Sequence, residues 1–484
     1  MTRVRGKRAW STALVMLLSG CTTVGPNYVA PQPDVPQNWT EAPAQVDTAD
    51  AARRLQAWWS EFHDPVLDRL VGQAIASNYD LRIAEQHIVA ARAERDIAIA
   101  ATRPNVSIGG TAQEMRSSTT VDWPPGIGES RTLEAGFDAS WEIDVFGGLR
   151  RSVEAANADV GAVAEVRRSL LVSLLAEIAS DYAMLRSSQQ RVAIAQRNID
   201  TLTRSLALAE RSFRAGTGTD FDVSQARAEL EESQALVPTL RAESARMAHA
   251  IGILSGGFPG DLEAELMRQG SPLPTVPTLP VSMPSEVVRQ RPDIQAAERR
   301  LAAGTARVGV AVADLFPHFS IPLTFGPQTS ALGQLLSAAS FAWSVGLTGT
   351  QRLYDGGRTN ARIRAAKAVA EADRLDYERV VRAAFRDVED ALVNINTERD
   401  RRTSLAASAK DSERALARAT QLYRGGLAGY LNVLVAQRSV YRAQDSLAQS
   451  DLAQIQSTIA LFKALGGGAL DCGKDCQNND SPRG

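Results

Sequence analysis

From Arg358 to Arg424 the chain runs 67 residues without one Gly or Pro. At 1.5 Å per residue a helix of that length reaches about 100 Å. The stretch from Leu149 to Ala215 is similar, with no Pro and only Gly161. On it Ile199, Leu202, Leu206 and Phe213 fall at coiled-coil spacing. A compact globular core has no use for helices this long, so the pattern implies an extended coiled-coil object. After each stretch the chain meets a glycine turn, Gly216-Thr217-Gly218 and then Gly425-Gly426-Leu427-Ala428-Gly429. Glycine permits the positive φ that a helical-hairpin tip needs. Return helices follow, the first carrying Pro238 as an expected kink and the last covering about Tyr430–Leu465.

The two long stretches are copies of one unit. Asp80 and Asp293 are 213 positions apart, as are Pro104 and Pro317. Gly147-Gly148 and Gly356-Gly357 differ by 209, and Gly216 and Gly426 by 210. Landmarks in one order at near-constant spacing indicate a tandem duplication. The expected layout is a signal over residues 1–20 and an extended segment over 21–59. A first repeat covers 60–258, with a hairpin at 105–145 and long helices at 149–251. A Pro-rich connector covers 259–284. A second repeat covers 285–467, with a hairpin at 318–353 and long helices at 358–465, and a polar tail covers 468–484. The first helix of each repeat is expected at about Asp64–Thr102 and Pro292–Leu315, ended by Pro104 and Pro317.

Between helices the pattern switches to period two. Leu133, Ala135, Phe137, Ala139, Trp141, Ile143 and Val145 alternate with Glu134, Gly136, Asp138, Ser140, Glu142 and Asp144. Val106 and Ile108 oppose Ser107, Thr111 and Gln113. Phe319, Ile321, Leu323 and Phe325 alternate with Ser320, Pro322, Thr324 and Gly326, and Phe341, Trp343, Val345 and Leu347 with Ala342, Ser344, Gly346 and Thr348. An apolar face backed by a polar one suits a transmembrane barrel strand of about 9–11 residues, although a half-buried soluble strand alternates too. Four strands cannot close a duct, and lipid does not tolerate an open edge, so several chains must share the barrel. The polar face of the second strand would put Glu134, Asp138, Glu142 and Asp144 in the lumen and favour cations.

The N-terminus reads as a lipoprotein signal: Arg3, Arg5, Lys7 and Arg8, then apolar Ala9 to Leu18, then Leu18-Ser19-Gly20-Cys21. Cys21 would carry covalent lipid, its acyl chains forming the anchor. Thr22, rather than Asp, favours the outer membrane. Cys472 and Cys476 stand in the tail as either a small-loop disulfide or free thiols. Net charge is -2, with 53 basic and 55 acidic residues, which argues against nucleic acid. The 4 His are scattered without metal-ligand spacing. No phosphate-binding Gly-Lys-Ser/Thr stretch or Gly-x-Ser-x-Gly elbow occurs. No enzyme and no cofactor are expected.

Several pieces, taken in order, carry a family resemblance. They are Cys21 to Tyr28, Trp59, Asp64-Pro65, Trp141 to Gly147, Arg291-Pro292-Asp293-Ile294 with Ala297-Glu298, Tyr354-Asp355-Gly356-Gly357, and Ala464 to Gly468. Over nearly the whole mature chain the sequence resembles the TolC/OprM-type outer membrane efflux factors, in their NodT-like branch. The resemblance implies a mainly α protein with transmembrane β-strands. It implies a homotrimer whose twelve-stranded β-barrel continues as a long periplasmic α-helical barrel. It further implies an exit duct for small molecules in a tripartite pump, with a periplasmic adaptor and an RND-type inner-membrane transporter. Protein secretion through such a duct, or a coiled-coil lipoprotein with no pore, are the alternatives. The adaptor is expected at the tips, Ala215, Gly216, Thr217, Gly425, Gly426 and Leu427. Asp220, Asp222, Tyr430 and Asn432 are the candidates to line a closed aperture, with N-capping by Asp220 or Asp222 as the competing role. Gln351 stands where the family usually has Pro. The acidic pair some members carry past the second tip is here Asn432 and Val435.

Overall fold

A computed structural model of the chain describes residues 23–41, 51–118, 120, 128–268, 273–277 and 284–469. The expected signal, Cys21, Cys472 and Cys476 lie outside the described residues. Helix α1 (Ala51–Gln56) precedes the first repeat, which contains helices α2 (Pro65–Ser77) and α3 (Tyr79–Ala100), strands β1 (Asn105–Arg116) and β2 (Glu129–Ile143), and helices α4 (Gly148–Arg214) and α5 (Asp220–Leu254). After α6 (Glu263–Leu266) come α7 (Pro284–Gln290) and α8 (Pro292–Ala313). Strands β3 (His318–Thr329), β4 (Phe341–Val345) and β5 (Thr348–Thr350) follow, then α9 (Arg358–Arg424) and α10 (Tyr430–Ala464). Both long helices have 67 residues. Pro238 lies inside α5, which continues through it.

The expected helix over Asp64–Thr102 is two helices. Asn78 adopts an extended conformation (φ -60°, ψ 131°). Its Oδ1 accepts from the Leu81 amide at 3.1 Å, and its Nδ2 donates to the Leu254 carbonyl at 2.9 Å. A side chain that competes for backbone groups ends one helix and starts the next. The break between α7 and α8 falls at Arg291, which is 213 positions on from Asn78. There the Arg291 guanidinium binds Asp293 and Asp387 and donates to the Ala464 carbonyl at 2.9 Å.

The chain forms two compact units, each drawing residues from both repeats. Among the described residues the first draws on 23–32, 86–164 and 296–378, and the second on 33–85, 165–295 and 379–469. The second unit has a large apolar core in which Trp58 stacks on Phe462 with ring centroids 5.1 Å apart, joined by Phe62, Leu70, Leu175, Ile178, Ile251 and Val388. Asp64 caps α2 through the amides of Val66 and Leu67 and also accepts from the Tyr182 hydroxyl at 2.7 Å.

The first unit holds one antiparallel sheet in the order β1–β2–β3–β4, with β5 also on β3. Registers are constant throughout, so no bulge shifts a face. β4 and β5 continue one line: Val345 faces Leu323 and Thr348 faces Ser320. The interruption falls opposite Pro322, whose carbonyl accepts from the Gly346 amide at 3.1 Å but which has no amide hydrogen to donate. Beside the sheet, residues from Thr23 onward form a strap. The Val24 amide donates to the Phe146 carbonyl at 3.1 Å. Buried Arg151 donates to the Val24 carbonyl at 3.3 Å and the Asn27 side chain at 2.6 Å. The Tyr28 hydroxyl donates to Glu298 at 3.0 Å.

Candidate functional site

Two places carry exposed groups that a compact soluble fold would not leave bare: the faces of the sheet and the tips of the helical hairpins. On the sheet, pairing aligns residues of one chemistry across strands. Ile108, Phe137, Phe325 and Trp343 form one row, and Val106, Ala139, Leu323 and Val345 another. The large side chains of these rows are exposed, Trp343 by 74% and Ile108 by 75%. The opposite face holds the row Ser107, Asp138, Thr324 and Ser344 and the row Thr111, Glu134 and Gln328. A sheet exposing a broad apolar face on one side and a polar one on the other is built to separate lipid from water. Strands β1 and β4 each have one edge without a partner in this chain. Among the described residues no helix is long and apolar enough to cross a membrane, and no cluster of His, Cys, Asp or Glu could hold a metal ion.

The tips share one backbone solution. Gly216 and Gly426 have φ of 74° and 73°. In the first, the Thr217 amide donates to the Ser212 carbonyl at 2.9 Å; in the second, the Leu427 amide donates to the Leu422 carbonyl at 2.9 Å. These bonds close the last helical turn around a left-handed glycine. The entries to the return helices differ. Thr219 and Asp222 form a reciprocal capping box at α5, whereas Gly429 begins α10 with no side-chain cap. Behind the tips Tyr430, Val433 and Leu434 pack with Ala209, Val223 and Ala226. Phe221, Leu427, Leu431 and Val435 stay exposed.

A sequence profile of outer membrane efflux proteins matches the chain twice, over residues 70–257 and 283–467. The chain belongs to the outer membrane efflux protein family. It is similar to the antibiotic efflux pump outer membrane protein ArpC of Pseudomonas putida, 30% identical over 457 residues and 93% of each chain. It is also similar to the probable outer membrane lipoprotein SilC of Salmonella typhimurium, 27% identical over 95% of this chain and 98% of that one. Among solved structures, the outer-membrane channel OprN superimposes with a TM-score of 0.84 at 35% identity, covering 93% of this chain and 100% of that one. The open state of the Neisseria gonorrhoeae MtrE channel gives 0.80 at 26% identity, covering 93% and 99%. The efflux protein is thus an outer membrane component of an efflux pump, with the fold of the TolC-like channels.

Within the efflux protein, the acidic residues expected on one strand face divide. Glu134, Asp138 and Glu142 lie in β2, but the strand ends at Ile143. Asp144 does not join the acidic face. Its Oδ2 accepts from the Arg150 amide at 2.8 Å and pairs with the Arg150 guanidinium at 3.3 Å, because the amides at the start of α4 lack helical partners. Asp355 does the same for α9, accepting from the amides of Gly357 and Thr359 and from the Thr359 hydroxyl. The Thr359 hydrogen bonds hold its carboxyl at about 2. Glu134 accepts from Gln328, and Glu142 meets His318 at 2.8 Å. His318 is a partner the sequence reading missed, since it starts β3 one residue before the apolar alternation becomes visible. Arg116 pairs with Glu129 at 3.0 Å, its neighbour across β1 and β2.

At the tips, Ala215, Gly216, Thr217, Gly425, Gly426 and Leu427 are all exposed. Tyr430 is not free to line an aperture in this conformation. It is 1% exposed, packed edge-on to Tyr423, and bonded to Ser205 at 3.4 Å. It is apolar enough to fill the gap between hairpins, and its helix turns that side inward. Asp222 serves the capping box, while Asp220 and Asn432 are exposed. The link between Arg438 and Glu229, with Nε 2.6 Å from the carboxylate, was not foreseen; it joins α10 to α5. Thr219→Ala should lower stability by about 1 kcal/mol through loss of the cap. Hydrogen exchange would register it as faster amide exchange over residues 219–223, with the second tip unchanged. Equal exchange in parent and variant would remove the capping role.

Proposed function

We propose that three copies of this chain form the exit duct of a tripartite efflux pump. The observation that carries the reading is the four-stranded sheet, with two unpartnered edges and faces of opposite polarity. An edge left open in hydrocarbon costs several kcal/mol for each unpaired backbone group, so closure through further copies is the physical solution. Three copies supply twelve strands. The apolar rows then meet lipid, and the polar face, with Glu134, Asp138 and Glu142, lines the lumen. The hairpin tips meet a periplasmic adaptor, and an RND-type inner-membrane transporter feeds the duct. ArpC, by its name an antibiotic efflux component, supports small-molecule export. Native mass spectrometry and planar-bilayer recording of the purified protein test the reading. A mass of three chains and discrete conductance are expected; a monomer with no conductance would overturn it.

Covalent lipid at Cys21 provides the anchor, a role supported by the preceding Leu18-Ser19-Gly20 and by the likeness to SilC, named an outer membrane lipoprotein. Two or more acyl chains hold a protein at a bilayer stably, whereas one does so only marginally. Cells fed a fatty-acid probe should label the parent and leave Cys21→Ser unlabelled. Equal labelling of both would refute acylation at this residue.

A further inference from the structure

We infer that the loop joining β3 to β4 is seated in the outer leaflet of the outer membrane, at the boundary between headgroups and acyl chains. The inference rests on the reading that the apolar rows of the sheet meet lipid. The two hairpins finish differently at the end of the sheet remote from the long helices. β1 and β2 stay paired as far as Arg116 and Glu129, whereas β3 pairs with β2 only as far as Thr329, opposite Leu133. The first hairpin therefore runs on through the pairs from Gln113–Thr132 to Arg116–Glu129, about 14 Å at the rise of an antiparallel strand. Its apolar face changes character in that stretch. Ala112 and Leu133 are followed on the same side by Glu114 and Arg131, and then by Arg116 and Glu129. These charges mark where the surface leaves hydrocarbon. β3 stops at the last apolar row before them.

The loop that starts at that level has the chemistry of the boundary. From Leu315 to Gln351, a stretch that includes the whole second hairpin, there is no Asp, Glu, Lys or Arg. Within the loop Leu332 is 69% exposed and Leu336 88%. Its backbone is bonded to itself. Two short turns, Leu332–Gln334 and Ala338–Ser340, shape it, and the amides of Gln334, Leu335, Ser337 and Ser340 all donate to carbonyls inside the loop. The Ser340 hydroxyl lies 2.7 Å from the Ser337 carbonyl and 3.0 Å from that of Leu335. A segment whose polar groups are satisfied internally tolerates scarce water, and bare leucines without a charge between them gain from acyl chains. At the base of the loop Phe325 and Phe341 pack on the apolar face, with ring centroids 5.9 Å apart. The loop thus continues the surface that meets lipid. Folded the other way, over the lumen, the same leucines would face water and the polar row of Thr111, Glu134 and Gln328.

Environment-sensitive fluorophores on single introduced cysteines test this, in a full-length protein carrying Cys472→Ser and Cys476→Ser and reconstituted into phosphatidylcholine vesicles. Heat-modifiable migration on gels first confirms that each variant assembles. Labels at Leu332→Cys and Leu336→Cys should emit further to the blue than one at Glu129→Cys, on the protruding first hairpin. Brominated acyl chains should quench the two loop labels and aqueous iodide should not, while the Glu129→Cys label should show the reverse. A label at Ile108→Cys, on the apolar rows, should also be quenched by brominated lipid. Loop labels that iodide reaches, or that neither quencher reaches, overturn the inference, and quenching at Ile108→Cys by lipid then keeps the sheet reading in place. An Ile108→Cys label that brominated lipid does not quench overturns the lipid-facing reading itself, and this inference with it.

Discussion

Replacing Gly326 by valine is expected to abolish the assembled outer membrane form. Gly326 and Gly136 face each other across β3 and β2, in the gap between two paired stretches, Glu134 with Gln328 and Phe137 with Phe325. A Cβ on Gly326 would lie 2.1 Å from the Ala135 carbonyl oxygen and 2.5 Å from the Gly136 Cα. One on Gly136 would lie 2.5 Å from the Phe325 carbonyl oxygen. The obstructing atoms are backbone, so no rotamer change relieves the clash. Only separation of the strands does, and that breaks the seam joining the two β-hairpins. Overpacking of this kind costs roughly 3 kcal/mol or more. Heat-modifiable migration on gels and outer membrane fractionation would report it. Gly333→Val is the control, since a Cβ there meets nothing within 4 Å. Assembly of Gly326→Val at the level of Gly333→Val would show that the seam tolerates separation.

Leu427→Glu should stop export while leaving the assembly intact. Leu427 follows the left-handed Gly426 and is 80% exposed, with Phe221 and Leu431 also bare on the return helices. An apolar side chain held out on a rigid turn contributes little to the fold, so its loss leaves stability nearly unchanged. At a docking surface it is an anchor, and inserting a charge costs about 2 kcal/mol or more, a loss of affinity near thirtyfold. Drug susceptibility of cells, together with co-purification of the adaptor, reads the outcome. Export at the parental level with normal adaptor recovery would remove Leu427 from the contact.

Helix length, hairpin tips and strand faces were legible in the sequence because each is local. Sixty-seven residues without a breaker have no other backbone to adopt, and Gly216 and Gly426 take the positive φ that their position after a helix demands. The apolar and polar rows follow from the two-residue repeat of a strand. The 213-residue spacing joined the Pro104 and Pro317 landmarks. The same offset also links the break at Asn78, which was not read, to Arg291, next to the expected helix start at Pro292.

Which neighbour each face meets was decided only by the tertiary structure. Alternation put Glu142 on a polar face, but the pairing of β2 with β3, from different repeats, brought His318 to it. Asp144 continued the alternation on paper. In space the strand had ended, and the nearest unsatisfied donors were those of α4. Tyr430 follows a tip turn and reads as a surface aromatic, yet the packing of α10 against α4 and α5 turns it inward. Gly136 and Gly326 looked like ordinary polar-face positions until their backbones were seen to approach too closely for any side chain. Periodicity records the side of an element on which a residue lies, an attribute of a few consecutive residues. The group across from it depends on chain segments hundreds of positions away, which only the folded molecule brings together.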